Sequence, residues 1–148
     1  MTTKDMTTKE YLSQAFDLAR LVRAKESRIQ DLRDKQTRIA QATAGVKVQS
    51  SPGPDSMGEL AAILLDLIAD YERDCLRLLQ LQDDIEDTIS QVESPAHYLV
   101  LFQRYVNLKK WEDIAADAGY GLRHTHKLHG QALVYLDEML FAHDTYTV

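Results

Sequence analysis

Apolar residues recur along the first third of the chain at alternating steps of four and three: Tyr11, Ala15, Leu18 and Val22, then Ile29, Leu32 and Ile39. That spacing keeps one stripe of side chains on one face of a helix and is the periodicity of a coiled-coil seam. Lys25 and Gln36 fall on the seam and interrupt it. The pattern predicts a long amphipathic helix to about Ala42. It is opened by Thr7-Thr-Lys-Glu10, a Thr-x-x-Glu capping box in which each side chain satisfies a free backbone donor. Ser50-Ser-Pro-Gly-Pro54 cannot continue a helix and predicts a loop within a linker over 43–55. Ser56-Met-Gly-Glu59 repeats the capping spacing. Behind it Met57, Leu60, Leu64, Leu67, Tyr71, Leu78, Leu81, Ile85 and Val92 line one side of a second long helix. Each helix spans roughly 50 Å at the helical rise, and the short linker predicts that they run antiparallel as a hairpin.

The pattern then changes. Ser94-Pro95 places an N-cap before a proline suited to the first helical position. A richly apolar third helix is expected over 95–107, with Tyr98, Leu99, Val100, Leu101, Phe102 and Tyr105. A short fourth helix is expected over 110–118 with Trp111, Ile114 and Ala115 inward. It is stopped by Gly119, since glycine readily takes the left-handed conformation after a helix. A fifth helix is expected over 122–141, followed by a loose tail at 143–148. The fold class expected is therefore all-α: a long antiparallel, coiled-coil-like helical hairpin over 1–93, then a compact helix-turn-helix domain over 94–142.

Composition narrows the chemistry. The single cysteine, Cys75, excludes an intramolecular disulfide and fits a reducing compartment. With no basic helix start or histidine nearby, it is expected to be a buried structural thiol. No apolar run approaches the length of a membrane span and the N-terminus has no apolar signal core, so a cytoplasmic protein without a membrane partner is expected. The net charge of −6 argues at first against nucleic acid, but its distribution does not. Residues 1–54 carry 10 Lys/Arg against 6 Asp/Glu, and residues 55–93 carry 2 against 11. Within 104–133 there are 5 basic and 3 acidic residues, together with His124, His126 and His129. Phosphate affinity scales with the number of charges neutralised, so a face this modest favours binding as a dimer or beside a second DNA-bound partner.

The basic segment is also where a helix-turn-helix falls. A small residue in the first helix (Ala115 or Ala116), Gly119 in the turn, and Leu122, Thr125 and Leu128 facing inward meet the packing needs of that unit. Trp111, Ile114, Gly119 and Leu128 are expected to hold it together. Arg123, His124, Lys127 and Gln131 would then face outward with donors suited to phosphates and base edges. Lys109, Lys110 and Arg104 are placed for backbone positioning. His126 and His129 share a helical face, but His124 and His126 diverge by roughly 200°, so no metal site is expected. Asp83, Asp84, Glu86 and Asp87 lie on a regular helix without Gly, Asn or His around them; a solvated face is the simplest account, and a docking face for a basic partner such as RNA polymerase the alternative. No phosphate loop, nucleophile elbow or dinucleotide motif is present, so neither an enzyme nor a cofactor is expected.

Residues 104–133 resemble region four of bacterial sigma factors, the part that reads the promoter −35 element. The likeness is carried by Arg104-Tyr105, Trp111-Glu-Asp-Ile-Ala115, Gly119-Tyr120, Arg123, and Leu128-His129 with Ala132-Leu133. With the Tyr11-Leu12-x-x-Ala15 opening, the whole chain is similar to small phage and prophage proteins of Gram-positive bacteria. Those join a helical hairpin to a sigma-like helix-turn-helix and are relatives of the ArpU/RinA-type late transcription regulators. One departure is Gly121, where such units usually place a serine N-cap; glycine is tolerated there but offers no side-chain oxygen. The resemblance implies a sequence-specific transcription regulator, phage or prophage encoded, binding double-stranded DNA as a homodimer formed through the hairpin. The alternative is a helical module that binds RNA polymerase or a phage or host factor through protein contacts, with a helix-turn-helix that does not touch DNA. The acidic middle of the chain favours it.

Overall fold

The computed structural model describes residues 6–44 and 56–145, with side chains described to Leu140. Its elements are α1 (Thr8–Ala44), α2 (Ser56–Ile89), α3 (Pro95–Leu101) running into a π-helical turn (Phe102–Val106), α4 (Trp111–Ala118) and α5 (Leu122–Thr145). No strand occurs among the described residues, and none of their helices is long and apolar enough to cross a membrane. The expected loop at Ser50–Pro54 lies outside the described residues, as do residues 146–148 of the expected tail. Residues 143–145 are helical instead of loose. After Gly130 the sequence has neither Gly nor Pro to stop α5.

Two of the expected capping signals act where the sequence places them, whereas Ser56, expected as the cap of α2, is already its first helical residue. At the start of α1, Thr7 N–H donates to Glu10 Oε2 (3.1 Å) and Glu10 N–H donates to Thr7 Oγ1 (3.2 Å), the reciprocal bonds of a capping box. Ser94 caps α3 by accepting from His97 N–H, with Pro95 behind it. The long helices pack against each other. Leu12 and Ala15 of α1 share a core with Ile85 and Ile89 of α2, and further along α1 Lys25 bonds Asp70 and Asp74. Ascending α1 thus meets descending α2, which makes the hairpin antiparallel.

The expected third helix differs in its second half. From Phe102 the turn widens, and Asn107 N–H reaches back five residues to Phe102 C=O (3.1 Å). Leu108 follows in a left-handed backbone conformation (φ 56°), rare for a branched residue. Its side chain packs against the core, which offsets the strain. Gln82 Nε2 donates to the Val106 carbonyl (3.2 Å), tying α2 to the widened turn.

Compact units divide the chain at places other than the 93/94 boundary expected from the sequence. One unit comprises Met1–Asp17 with Leu78–Val148, the other Leu18–Arg77. In the first, the core is Leu12, Ala15, Ile85, Ile89, Val92, Leu101, Tyr105, Ala132 and Leu136. The faces of α3 and α5 need the two hairpin segments to be covered, which is why the helix-turn-helix does not close on residues 94–142 alone. In the second, Ile29, Leu60 and Leu64 are buried, and Leu32, Ile39, Leu67, Ile68 and Tyr71 pack on them. Lys25, the polar break in the seam, is held by two carboxylates there. Hydrogen bonding to Asp70 and Asp74 raises its pKa, and Lys25 in turn lowers that of Asp70. Cys75, expected to be buried, is half-buried beside Tyr71, whose phenol it raises by hydrogen bonding.

Candidate nucleic-acid interface

The site is built on the turn between α4 and α5. Lys110 is the extended N-cap of α4, Glu112 and Asp113 complement the positive end of its dipole, and Ile114 and Ala115 are buried. Ala116 faces solvent, so Ala115 is the small residue at the helix contact. Gly119 ends α4 with φ 71°, a conformation that costs any side chain. Gly119 N–H donates to Ala116 C=O (3.2 Å) and Tyr120 N–H to Ala115 C=O (2.9 Å), which is the Schellman pair of bonds. Gly121 begins the next helix through its backbone: its carbonyl accepts from both Thr125 N–H and Thr125 Oγ1 (3.1 Å each). The threonine hydroxyl is thereby satisfied inside the helix, and Thr125 is fully buried.

Thr125, Leu128, His129, Ala132 and Leu136 form the buried underside of α5. Leu122, expected inward with Thr125 and Leu128, is 43% exposed. It lies about 65° from the centre of the buried arc. The opposite surface presents Arg123, His124, Lys127 and Gln131, all exposed. Arg123 and Lys127 meet no carboxylate among the described residues. His124 stands edge-on to Tyr120 (4.9 Å between centroids, 90°), which leaves an aromatic flank beside the helix start. Gln131 Oε1 is 3.1 Å from His97 Nε2 of α3, an exposed contact. Lys110 is exposed, while Lys109 is half-buried and bonds Asp117 (2.7 Å).

Arg104 does something different from its expected place at the phosphate backbone. It is half-buried, with its guanidinium over the rings of Phe16 (4.3 Å) and Trp111 (4.6 Å), and its Nη1 donates to Lys109 C=O (2.8 Å). Burial lowers its pKa from the ordinary arginine value. It clamps the segment between the π-helical turn and α4 by cation–π contact on two rings.

Beneath it, Tyr105 Oη and His129 Nε2 are 2.6 Å apart, a hydrogen bond between two neutral groups. Burial pushes the Tyr105 phenol up to about 12 and pulls His129 down to about 4, with the charges of Lys9, Arg104 and His126 adding to the shift on the imidazole. His129 also meets the Trp111 edge (4.5 Å). His124, His126 and His129 therefore part company: His124 goes to Tyr120, His126 to the exposed flank of Trp111 (4.8 Å), and His129 into the core. Among the described residues no three His, Cys, Asp or Glu side chains converge as a metal site would require.

The arrangement is a firmly packed helix whose outer face carries cations that meet no carboxylate among the described residues, a shape that fits a polyanion. Sequence reasoning reached the outward residues and the turn. It did not reach Phe16 and His97, which touch Arg104 and Gln131 from α1 and α3 and have no local signal of doing so. Asp83, Asp84, Glu86 and Asp87 are all exposed. Comparison of the chain with protein-family models, curated proteins and solved structures finds no match.

Proposed function

We propose that the chain is a sequence-specific double-stranded DNA-binding regulator of transcription that presents α5 to the duplex. The observation that carries this is the pairing of a fully packed underside with exposed Arg123 and Lys127, which no carboxylate neutralises among the described residues. Such side chains contact phosphates and guanine edges, and His124 and Gln131 flank them with further donors and acceptors. Lys110 extends the positive edge at the start of α4. A titration of purified protein with duplex DNA at low and moderate salt, followed by selection from a random duplex library, tests it. Affinity that falls steeply with salt and enrichment of one motif are expected. Replacing Arg123 and Lys127 by Ala lowers affinity and flattens the salt dependence. Salt-independent or absent binding sinks the proposal.

We also propose a second copy of the chain as partner. In the unit of residues 18–77, Leu65 (68% exposed) and Leu76 (61%) lie on one exposed face of α2 with Ala62 and Ala69. The α1 portion of that unit carries 7 Lys/Arg against 3 Asp/Glu, and the α2 portion from Ser56 carries 2 against 5. An antiparallel pairing of two hairpins sets opposite charges beside that apolar face, and two helix-turn-helix units suit a two-half-site operator. Light scattering checks it: a dimer that Leu65→Lys with Leu76→Lys turns into monomer. The same face favours a second reading, a protein-binding module whose partner is RNA polymerase or another factor. A monomer without DNA affinity that captures purified polymerase would select it.

A further inference from the structure

Gly130, on the outer face of α5, is a residue for which the described part of the chain offers no reason. It lies inside a regular helix, where glycine is disfavoured against alanine. Its backbone does not take the positive φ that Gly119 needs. A Cβ built on it meets nothing within 4 Å, so no packing within the protein demands its absence. The position is exposed.

Its neighbours on the helix surface give the position a context. Arg123, Lys127, Gly130 and Val134 follow at spacings of four, three and four and fall within about 60° of arc. All four are exposed, Val134 at 57%. The stripe is opposite the buried side of α5, so it is available to a ligand over its whole length. Glu138, one turn beyond Val134, is exposed and acidic and bounds the stripe at its far end.

We infer that Gly130 is the point of closest approach between α5 and duplex DNA, where the missing side chain lets the helix backbone lie against a strand held by Arg123 and Lys127. Glycine is the residue that permits close approach of a backbone to a ligand, and it does so here at the expense of helix stability. The two cations identify the ligand as a polyanion, and the length of the stripe fits a helix laid along a groove. Val134 then supplies an apolar contact to a sugar or a thymine methyl. This rests on the DNA-binding function proposed above and adds the positioning residue to it.

The test is Gly130→Ala in the full chain, with unfolding followed by circular dichroism and binding measured on random-sequence and selected duplexes. The expected result is a pair of opposite shifts: a melting temperature higher by about 4 °C and DNA affinity lower by roughly tenfold. Gly130→Leu weakens binding further. Unchanged or tighter binding by Gly130→Ala, with wild-type protein still binding DNA, overturns this inference and leaves the DNA-binding function standing. A lower melting temperature for Gly130→Ala also overturns it, because some internal contact would then require the glycine. A wild-type chain that binds no duplex at low salt overturns both.

Discussion

The two compact units solve the problem of burial differently. In the unit containing the helix-turn-helix, Leu12, Ala15, Ile85, Ile89, Leu101, Thr125, Ala132 and Leu136 are wholly shielded from solvent. Among the described residues of the unit 18–77 the most deeply buried is not apolar at all: it is Asp74 at 4%, ahead of Leu64 at 6% and Ile29 at 7%. The reason is geometric. Segments of α1, α2, α3 and α5 surround the first core from several sides, whereas two helices alone shield only the strip along which they touch. Where apolar surface is scarce, a cation between two carboxylates takes over the seam. A polar group at a seam position fixes register, because sliding the helices leaves it unpaired.

The sharpest way to break this comparison is to remove equivalent apolar bulk from each core. Ile85→Ala in the first unit is expected to lower stability by about 3–4 kcal/mol, and Ile29→Ala in the second by about half as much, because the thinner core collapses more readily around the gap. Urea unfolding checks both, and equal losses would erase the distinction. Acid is the next probe. His129 is held neutral with a pKa of about 4, so in the unfolded chain it takes up a proton at higher pH than in the folded one. Its contribution is therefore present above about pH 6.5 and is lost as pH falls towards 4, by about 3 kcal/mol. A Tyr105→Phe, His129→Leu double variant should unfold with a flatter pH dependence over that window, and an unchanged slope would assign the acid sensitivity elsewhere.

Arg104→Ala separates architecture from DNA contact. Losing its stack on Phe16 and Trp111 should cost about 1–2 kcal/mol of stability and leave the salt dependence of DNA binding as steep as before. A flatter salt dependence with stability unchanged would return Arg104 to the phosphate backbone. The mildest change expected is Lys25→Met. Asp74 keeps Arg77 at 3.3 Å, so the melting temperature should fall slightly, and adding Asp70→Asn should restore part of it. No response from either variant would show that the pair does not hold register.

Much of the architecture was legible because it is written in local chemistry. Thr7 and Glu10 cap a helix wherever they occur at that spacing. Gly119 stops one, and Ser94 with Pro95 starts one. The outward set Arg123, His124 and Lys127 follows from helical period once Thr125 and Leu128 are taken as inward. Leu122 broke that rule at the helix edge, where period alone does not decide burial. Arg104 illustrates the other limit. An arginine beside a basic segment reads as a phosphate contact, and nothing near it in sequence announces the ring of Phe16.

Sequence alone therefore determined the helices, the caps at Thr7 and Ser94, the antiparallel hairpin and the turn, since these depend on residues a few positions apart. Only tertiary structure decided that Lys25 bridges to Asp70 and Asp74, that His129 withdraws beneath Trp111 to meet Tyr105, and that Leu12 and Ala15 of α1 complete the core that α5 shares. It also showed Gly130 standing in open space. Each of these depends on what lies across a helix interface, and side-chain burial is set by neighbours distant in the chain rather than by the period of the helix that carries it.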